Sequence, residues 1–223
     1  MIIIGHRGAK NLTPENTLAS IQKALDCKVD AIELDVRVTK DEVCVLHHDS
    51  FIIKDLEHEY WISHHTIAQL KKIKPDLATL DEAIKLVKHR IPIMVEVKPS
   101  VPIEPVVKSL AAYFQHGWKP KDFMFGSFDY SILMALKRTL PQAPIIVTER
   151  WSAIRAVRRA RKLNTKHICL LQSFLWSGLI LVLSRRGYRV YAYPLNNPAK
   201  ARKWTKYGLA GVITDSPDLF SKS

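Results

Sequence analysis

Short apolar runs recur along this chain, and each is followed by a stretch with helical spacing. Residues 2–5, 31–38, 92–97, 123–128, 145–148, 167–171, 189–194 and 211–214 read as strands. Strands joined by helices run parallel, because each helix carries the chain back to the starting edge of the sheet. About eight such repeats in 223 residues fit an α/β fold of the (β/α)8 TIM-barrel type, one domain over residues 1–223. A doubly wound open sheet is the alternative. GHRGAK after the first strand is not G-x-G-x-x-G, which argues against a dinucleotide site. A further run, 43–47, reads as a local excursion after the second strand.

The helical stretches carry their own punctuation. Thr13 is expected to cap a helix with Pro14 in its first turn, and Leu18, Ile21 and Leu25 share one face. Thr79 or Asp81 can open a helix bearing Ala83, Ile84 and Val87, while Trp151, Ile154 and Val157 mark another whose opposite face is basic. The most apolar stretch, FLWSGLILVL at 174–183, is shorter than the roughly 20 residues a bilayer span needs. It is expected to be a buried helix.

With 47% hydrophobic and 25% charged residues, the chain can bury a sizeable core, so disordered and fibrous classes are excluded. A net charge of +13 favours anionic partners: phosphate compounds, anionic lipid headgroups or nucleic acid. No nucleic-acid motif accompanies the charge, so none is expected as partner. The three cysteines, Cys27, Cys44 and Cys169, are odd in number and form no C-x-x-C pair. That argues against a disulfide framework and a structural zinc site. The opening MIIIGHRG lacks the form of a signal peptide, and a cytoplasmic setting is the expectation.

Chemistry in such a barrel sits where strands end. The first strand ends in His6 and Arg7, the second carries Glu33 and Asp35, the excursion ends in His47-His48-Asp49, and the third carries Glu96 and Lys98. Residues two apart on a strand face the same way, so Glu33 pairs in direction with Asp35, and Glu96 with Lys98. Three carboxylates at one mouth repel unless a cation sits among them, and oxygen ligands without thiolates suit Mg²⁺ or Ca²⁺. Taken singly, Glu33 and Asp35 could equally pair with Arg37 or Lys98. His6 alone could be a strand-end histidine bonded to backbone. Glu15 and Asn16 could brace the site or simply open a helix.

This ordered set resembles the glycerophosphodiester phosphodiesterases. The resemblance rests on HRG at strand one, PENT close behind, E-x-D on strand two, H-D after it and E-x-K on strand three. It continues in Thr79-Leu80-Asp81-Glu82-Ala83, Ser127-Phe128-Asp129 and GVITDSP at 211–217. It implies a TIM barrel, with His6 and His48 as the acid–base pair and Arg7 and Lys98 at the phosphate. Glu33, Asp35 and Glu96 would hold one divalent cation, Mg²⁺ or Ca²⁺, and Tyr193 would lie against glycerol. The implied reaction cleaves a small-molecule glycerophosphodiester to sn-glycerol 3-phosphate and an alcohol. Departures are Glu42, where the family pattern has glycine, Ile53-Lys54-Asp55 in place of an Arg-Thr pair, and Tyr193-Pro194-Leu195-Asn196 in place of W-T-V-N.

A second expectation is a lysophospholipase D working at a membrane surface. Arg155, Arg158, Arg159, Arg161 and Lys162 are expected to spread over one broad face and to give peripheral contact with anionic membrane. Nothing in the sequence bears on oligomeric state.

Overall fold

In the computed structural model, the strand pairing closes on itself. The structure describes residues 1–55 and 58–220. The barrel strands are β1 (Ile2–His6), β2 (Ala31–Val38), β6 (Ile93–Val97), β7 (Phe123–Ser127), β8 (Ile145–Glu149), β9 (His167–Leu171), β10 (Arg189–Tyr193) and β11 (Leu209–Thr214). All pair in parallel, each with the next, and β1 pairs with both β11 and β2. The chain is therefore a closed (β/α)8 barrel, and the open-sheet alternative falls.

Helices cover the outside: α1 (Leu18–Asp26), α3 (Leu80–Val87), α4 (Ile103–Gln115), α5 (Tyr130–Thr139), α6 (Ala153–Lys162), α7 (Ser177–Arg185) and α8 (Pro198–Thr205). Their apolar faces pack on the outward residues of the strands to form the larger core. Apolar burial on both faces, against the helices outside and among the strand side chains inside, is what holds a parallel barrel closed. Thr79 caps α3 through a capping box with Glu82.

Between β2 and α3 the chain builds a satellite. It holds β3 (Cys44–Leu46), antiparallel to β2, the hairpin β4 (Phe51–Asp55) with β5 (His58–Trp61), and helix α2 (Ile67–Ile73). Val45, Ile52, Ile62, Leu70 and Leu77 give it a small core of its own. The expected excursion is thus present and longer than a single strand. It returns the segment after β3 to the barrel mouth, where His47 N donates to Asp35 O at 3.1 Å.

Three helix expectations fail. In α6, Trp151 precedes the helix, Ile154 is exposed, and the buried residues are Ala156 and Ala160. Helix α1 is capped by Thr17, whose hydroxyl accepts from Ser20 N, and not by Thr13. Residues 174–183 do not form a buried helix. Phe174 lies in a 3₁₀ turn before α7, and Phe174, Trp176 and Val182 are exposed. Only Leu175, Ile180 and Leu183 of that stretch are buried.

Candidate active site

The barrel interior is floored by Ile4, Ala31, Met94, Ile146, Cys169, Tyr191 and Ile213, one apolar side chain from each of seven strands. Strand alternation places the next inward residue two positions on. Those residues are His6, Glu33, Glu96, Thr148, Leu171, Tyr193 and Asp215. Polar groups follow the apolar floor on six of the seven strands, at their C-terminal ends. One layer of alternation thus separates packing from chemistry.

The turn after β1 is tight. Arg7 and Gly8 both take left-handed conformations, with φ of 51° and 86°. A Cβ on Gly8 would lie 2.4 Å from Ser20 Oγ, so only glycine fits there. The chain then loops out and returns at Asn16, itself at φ 58°. Asn16 Nδ2 donates to Asp35 Oδ2 at 2.9 Å, and its Oδ1 accepts from Asp35 N at 3.2 Å. Glu15 Oε1 accepts from Arg7 Nη1 at 2.7 Å. PENT therefore opens the helix, through Thr17 as its cap, and does more. It braces a carboxylate and an arginine.

Glu33, Asp35 and Glu96 are buried and offer oxygens that lie within 4.8 Å of one another. The register Asp35↔Glu96 and His6↔Glu33 across β2, β6 and β1 brings them there. Lys98 Nζ lies between two of them, 2.7 Å from Asp35 Oδ1 and 2.6 Å from Glu96 Oε1. Arg7 Nε is 2.9 Å from Asp35 Oδ2. Arg37 pairs with none of them; its Nε and Nη2 donate to the His48 carbonyl at 3.2 and 2.9 Å.

These contacts divide the carboxylates. Burial would raise the Asp35 carboxyl, but Lys98 and Arg7 outweigh it and hold its pKa at about 2. Burial, then the charges of Asp35 and Glu96, push Glu33 well above the ordinary range. Burial also raises Glu96, although Lys98 opposes it. Glu33 Oε1 is buried with no hydrogen-bond partner among the described residues. A buried, unpaired carboxylate oxygen beside two more carboxylates is a costly arrangement for protein alone. It fits a hard divalent cation, for which all-oxygen donors are suited.

The two candidate histidines are each held through Nδ1 by an aspartate. His6 Nδ1 lies 2.5 Å from Asp215 Oδ1, and His6 Nε2 points at Glu33 Oε2, 3.9 Å away. Asp215 is fixed in turn by Asn196 Nδ2, which donates to its Oδ2 at 2.8 Å. Burial would raise Asp215, but hydrogen bonds from His6 and Asn196 keep its pKa at about 2. His48 Nδ1 lies 2.8 Å from Asp49 Oδ1. Burial and then Lys98 lower the His48 pKa. His47 instead bonds the Asp49 carbonyl at 3.1 Å, and its charged neighbours are Lys74, Asp49 and Glu15. β3 ends at Leu46, before either histidine, so strand alternation does not govern the pair.

Tyr193 stands two residues past Tyr191 on the interior face and packs edge-on to Phe128, with ring centroids 5.9 Å apart. Burial pushes its hydroxyl pKa upward. The sequence reading gave no role to Asp215 or Asn196. The signal for Asp215 was available: it follows the inward Ile213 by two, as His6 follows Ile4.

The model of the glycerophosphoryl diester phosphodiesterase family matches residues 6–219. The chain belongs to this family. A glycerophosphodiester phosphodiesterase of Bacillus subtilis is 24% identical over 252 residues, covering all of this chain and 86% of that one. Human lysophospholipase D GDPD1 is 27% identical, covering 96% of this chain and 83% of its own length. The solved structure of an Oleispira antarctica phosphodiesterase, in complex with the product sn-glycerol-3-phosphate, superposes with a TM-score of 0.85. It is 25% identical, covering 98% of this chain and 94% of that one.

Beside the carboxylate cluster of this family member opens a cavity of about 550 Å³. His48 and Lys98 line it on the inner side, and Arg150, Trp151 and Arg155 belong to the loop and helix after β8. Trp151, which lines it, is 67% exposed, and Ile154 on α6, Phe174 and, just before α7, the 63% exposed Trp176 are exposed too. The Trp151 and Phe174 rings meet edge-on at 6.0 Å. The basic residues of α6 lie on one side of the helix, and two of them also hold a buried carboxylate. Arg155 clasps buried Glu149 with both Nε and Nη2 at 2.5 Å, and half-buried Arg159 approaches the same carboxylate at 3.4 Å. Arg155, Arg158, Arg161 and Lys162 are exposed. Among the described residues, no helix is long and apolar enough to cross a membrane.

Proposed function

We propose that this protein is a divalent-cation-dependent phosphodiesterase that cleaves glycerophosphodiesters to sn-glycerol 3-phosphate and an alcohol. The observation that carries the reading is the orphaned Glu33 oxygen within the Glu33–Asp35–Glu96 cluster, flanked by two aspartate-held histidines. Family membership and likeness to a phosphodiesterase solved with sn-glycerol-3-phosphate support the substrate class.

Glu33, Asp35 and Glu96 would hold the cation, Mg²⁺ or Ca²⁺. When bound, it supplies positive charge that lowers the pKa of the glycerol hydroxyl and polarises the phosphate. Arg7 and Lys98 then meet the remaining phosphate oxygens with charge-assisted hydrogen bonds. The glycerol hydroxyl next to the phosphate attacks phosphorus. One imidazole takes the hydroxyl proton, and the other gives a proton to the departing alcohol. Water opens the resulting cyclic phosphate with the two roles exchanged. Asp215 and Asp49 fix His6 and His48 so that Nε2 of each is the working atom. Tyr193 offers a ring against the glycerol carbons. Product analysis of a glycerophosphodiester panel with Mg²⁺, Ca²⁺ or EDTA tests the proposal. Cation-dependent release of sn-glycerol 3-phosphate is expected. Release undiminished by chelation, or no release from any diester, would overturn it.

A second reading, lysophospholipase D activity at a membrane, draws on exposed Trp151 in the cavity lining, the Phe174 ring that meets it, and exposed Ile154 and Trp176 on the segments after β8 and β9. Aromatic side chains flanked by cations suit a headgroup interface. Rates on lysophospholipid in anionic vesicles against the matching soluble diester separate the two readings.

A further inference from the structure

The cavity of about 550 Å³ has a chemical bias that the cleavage reaction does not require. Five cations line it, Arg37, Lys98, Arg150, Arg155 and Arg159, against two carboxylates, Asp49 and Glu149. Glu149 is closed to a ligand cation, whereas Asp49 is exposed and gives one oxygen to His48. Glu149 accepts from Arg155 and from the backbone N–H groups of Arg150 and Trp151, at 2.9 and 3.0 Å. Among the cations, Lys98 is committed to Asp35 and Glu96, and Arg155 and Arg159 to Glu149.

Arg37 and Arg150 differ. Among the described residues neither has a carboxylate within ion-pair distance. Arg37 gives two of its donors to one carbonyl oxygen, that of His48. Arg150 lies 4.5 Å over the Phe128 ring, so that aromatic face is already taken by a protein cation. Two guanidinium groups with open donors are complementary to phosphate or carboxylate oxygens. A quaternary ammonium is favoured by free aromatic faces or an unpaired carboxylate; Phe128 and Glu149 are occupied, which leaves Phe51, Trp151 and Asp49 set against five cations in the same lining.

Resting on the phosphodiesterase reading, we infer that this cavity is the subsite for the leaving alcohol and that it selects alcohols bearing a negative charge over those bearing a quaternary ammonium. The cavity adjoins His48 and Lys98, so an alcohol leaving the reacting phosphate enters it directly. Arg150 is the specificity-determining residue: it is exposed, borne on the loop after β8, and in no ion pair that the fold needs.

The test compares glycerophosphoinositol 4-phosphate, glycerophosphoinositol and glycerophosphocholine on the cation-loaded enzyme. The uncharged inositol arm separates charge from size. The expected kcat/KM is highest for the phosphorylated arm, by about tenfold or more over choline. The ratio should fall about tenfold in Arg150→Glu, chiefly through KM, and survive in Arg150→Lys. Melting curves of both variants check that each is folded. Turnover of all three diesters with choline equal or preferred, or a ratio unmoved by Arg150→Glu, overturns the inference and leaves the phosphodiesterase reading standing. No turnover of any of the three, with either cation, overturns both.

Discussion

The inner cluster and the outer rim of this barrel are built in opposite ways. The inner cluster is buried, comes from strand ends and holds its charges in fixed pairs: Lys98 with Asp35 and Glu96, Arg7 with Asp35 and Glu15. The rim comes from the loops after β8 and β9, exposes Trp151 and Trp176, and holds Arg150 over the Phe128 ring with no carboxylate partner among the described residues. In the proposed reaction, chemistry that needs fixed distances falls to the strand ends, and choice of substrate or surface falls to the loops, which can vary without breaking the barrel.

The largest effects should come from the inner cluster. His48→Ala should lose about 10²–10⁴ in rate, the usual cost of one acid–base group. His47→Ala should stay within about tenfold of wild type, a barrier change of roughly 1.4 kcal/mol. The reverse order in steady-state assays would mean that His47, and not the histidine facing Lys98, does the work.

The cluster should also show itself in stability. Glu33 and Glu96 have raised pKa values in the fold. The metal-free native state therefore binds more protons than the unfolded chain. Its stability falls as pH rises from the ordinary glutamate pKa, about 4.3, through the raised native values. Asp35, depressed to about 2, has the opposite sign, but its contribution is lost only as pH falls below the ordinary aspartate range. A cation in the site competes with those protons. The gain in melting temperature from Mg²⁺ or Ca²⁺ should thus be larger at pH 8 than at pH 5. An equal gain at both, or a larger one at pH 5, would break the assignment of the cation to these carboxylates.

The rim should behave otherwise. Trp151→Ala with Trp176→Ala should weaken binding to anionic vesicles, by about tenfold in co-sedimentation, because each indole buries apolar area at the interface. The melting temperature should move by no more than about 2 °C, as expected for exposed positions. A large loss of stability with unchanged vesicle binding would reverse the distinction between the two regions.

The smallest effect lies outside both. Glu42 takes φ 60°, a left-handed conformation where the family pattern has glycine. Glu42→Gly should raise stability by up to about 1 kcal/mol, the relieved strain being partly offset by glycine's entropy. Thermal unfolding reads this directly.

What the sequence disclosed follows the same division. The barrel strands were legible because β9 is a short apolar run and β2 alternates apolar with charged residues, and their bounds match the expectation at 31–38 and 167–171. Glu33, Asp35, Glu96 and Lys98 were legible because a period of two fixes their direction. Asp215 was passed over although it obeys that period, because its role appears only when β11 closes against β1 and brings it to His6. Thr13 was mistaken for a cap because the loop 7–16 is held by contacts with Asp35, which no local pattern records. The β4–β5 hairpin carries no Gly-rich turn to announce it. The stretch 174–183 was read as buried on apolarity alone, yet it divides into an exposed aromatic rim and a half-buried helix.

The most direct test is calorimetric titration of the metal-stripped protein with Mg²⁺ and with Ca²⁺ at pH 7, alongside Glu33→Gln. One cation per chain should bind to the wild type with release of protons. The affinity should collapse in Glu33→Gln, while the metal-free variant melts no lower than the metal-free wild type, since the substitution removes a buried, repelled carboxylate. Absence of binding to the wild type, or the same affinity in Glu33→Gln, would contradict the cation site on which the proposed chemistry depends.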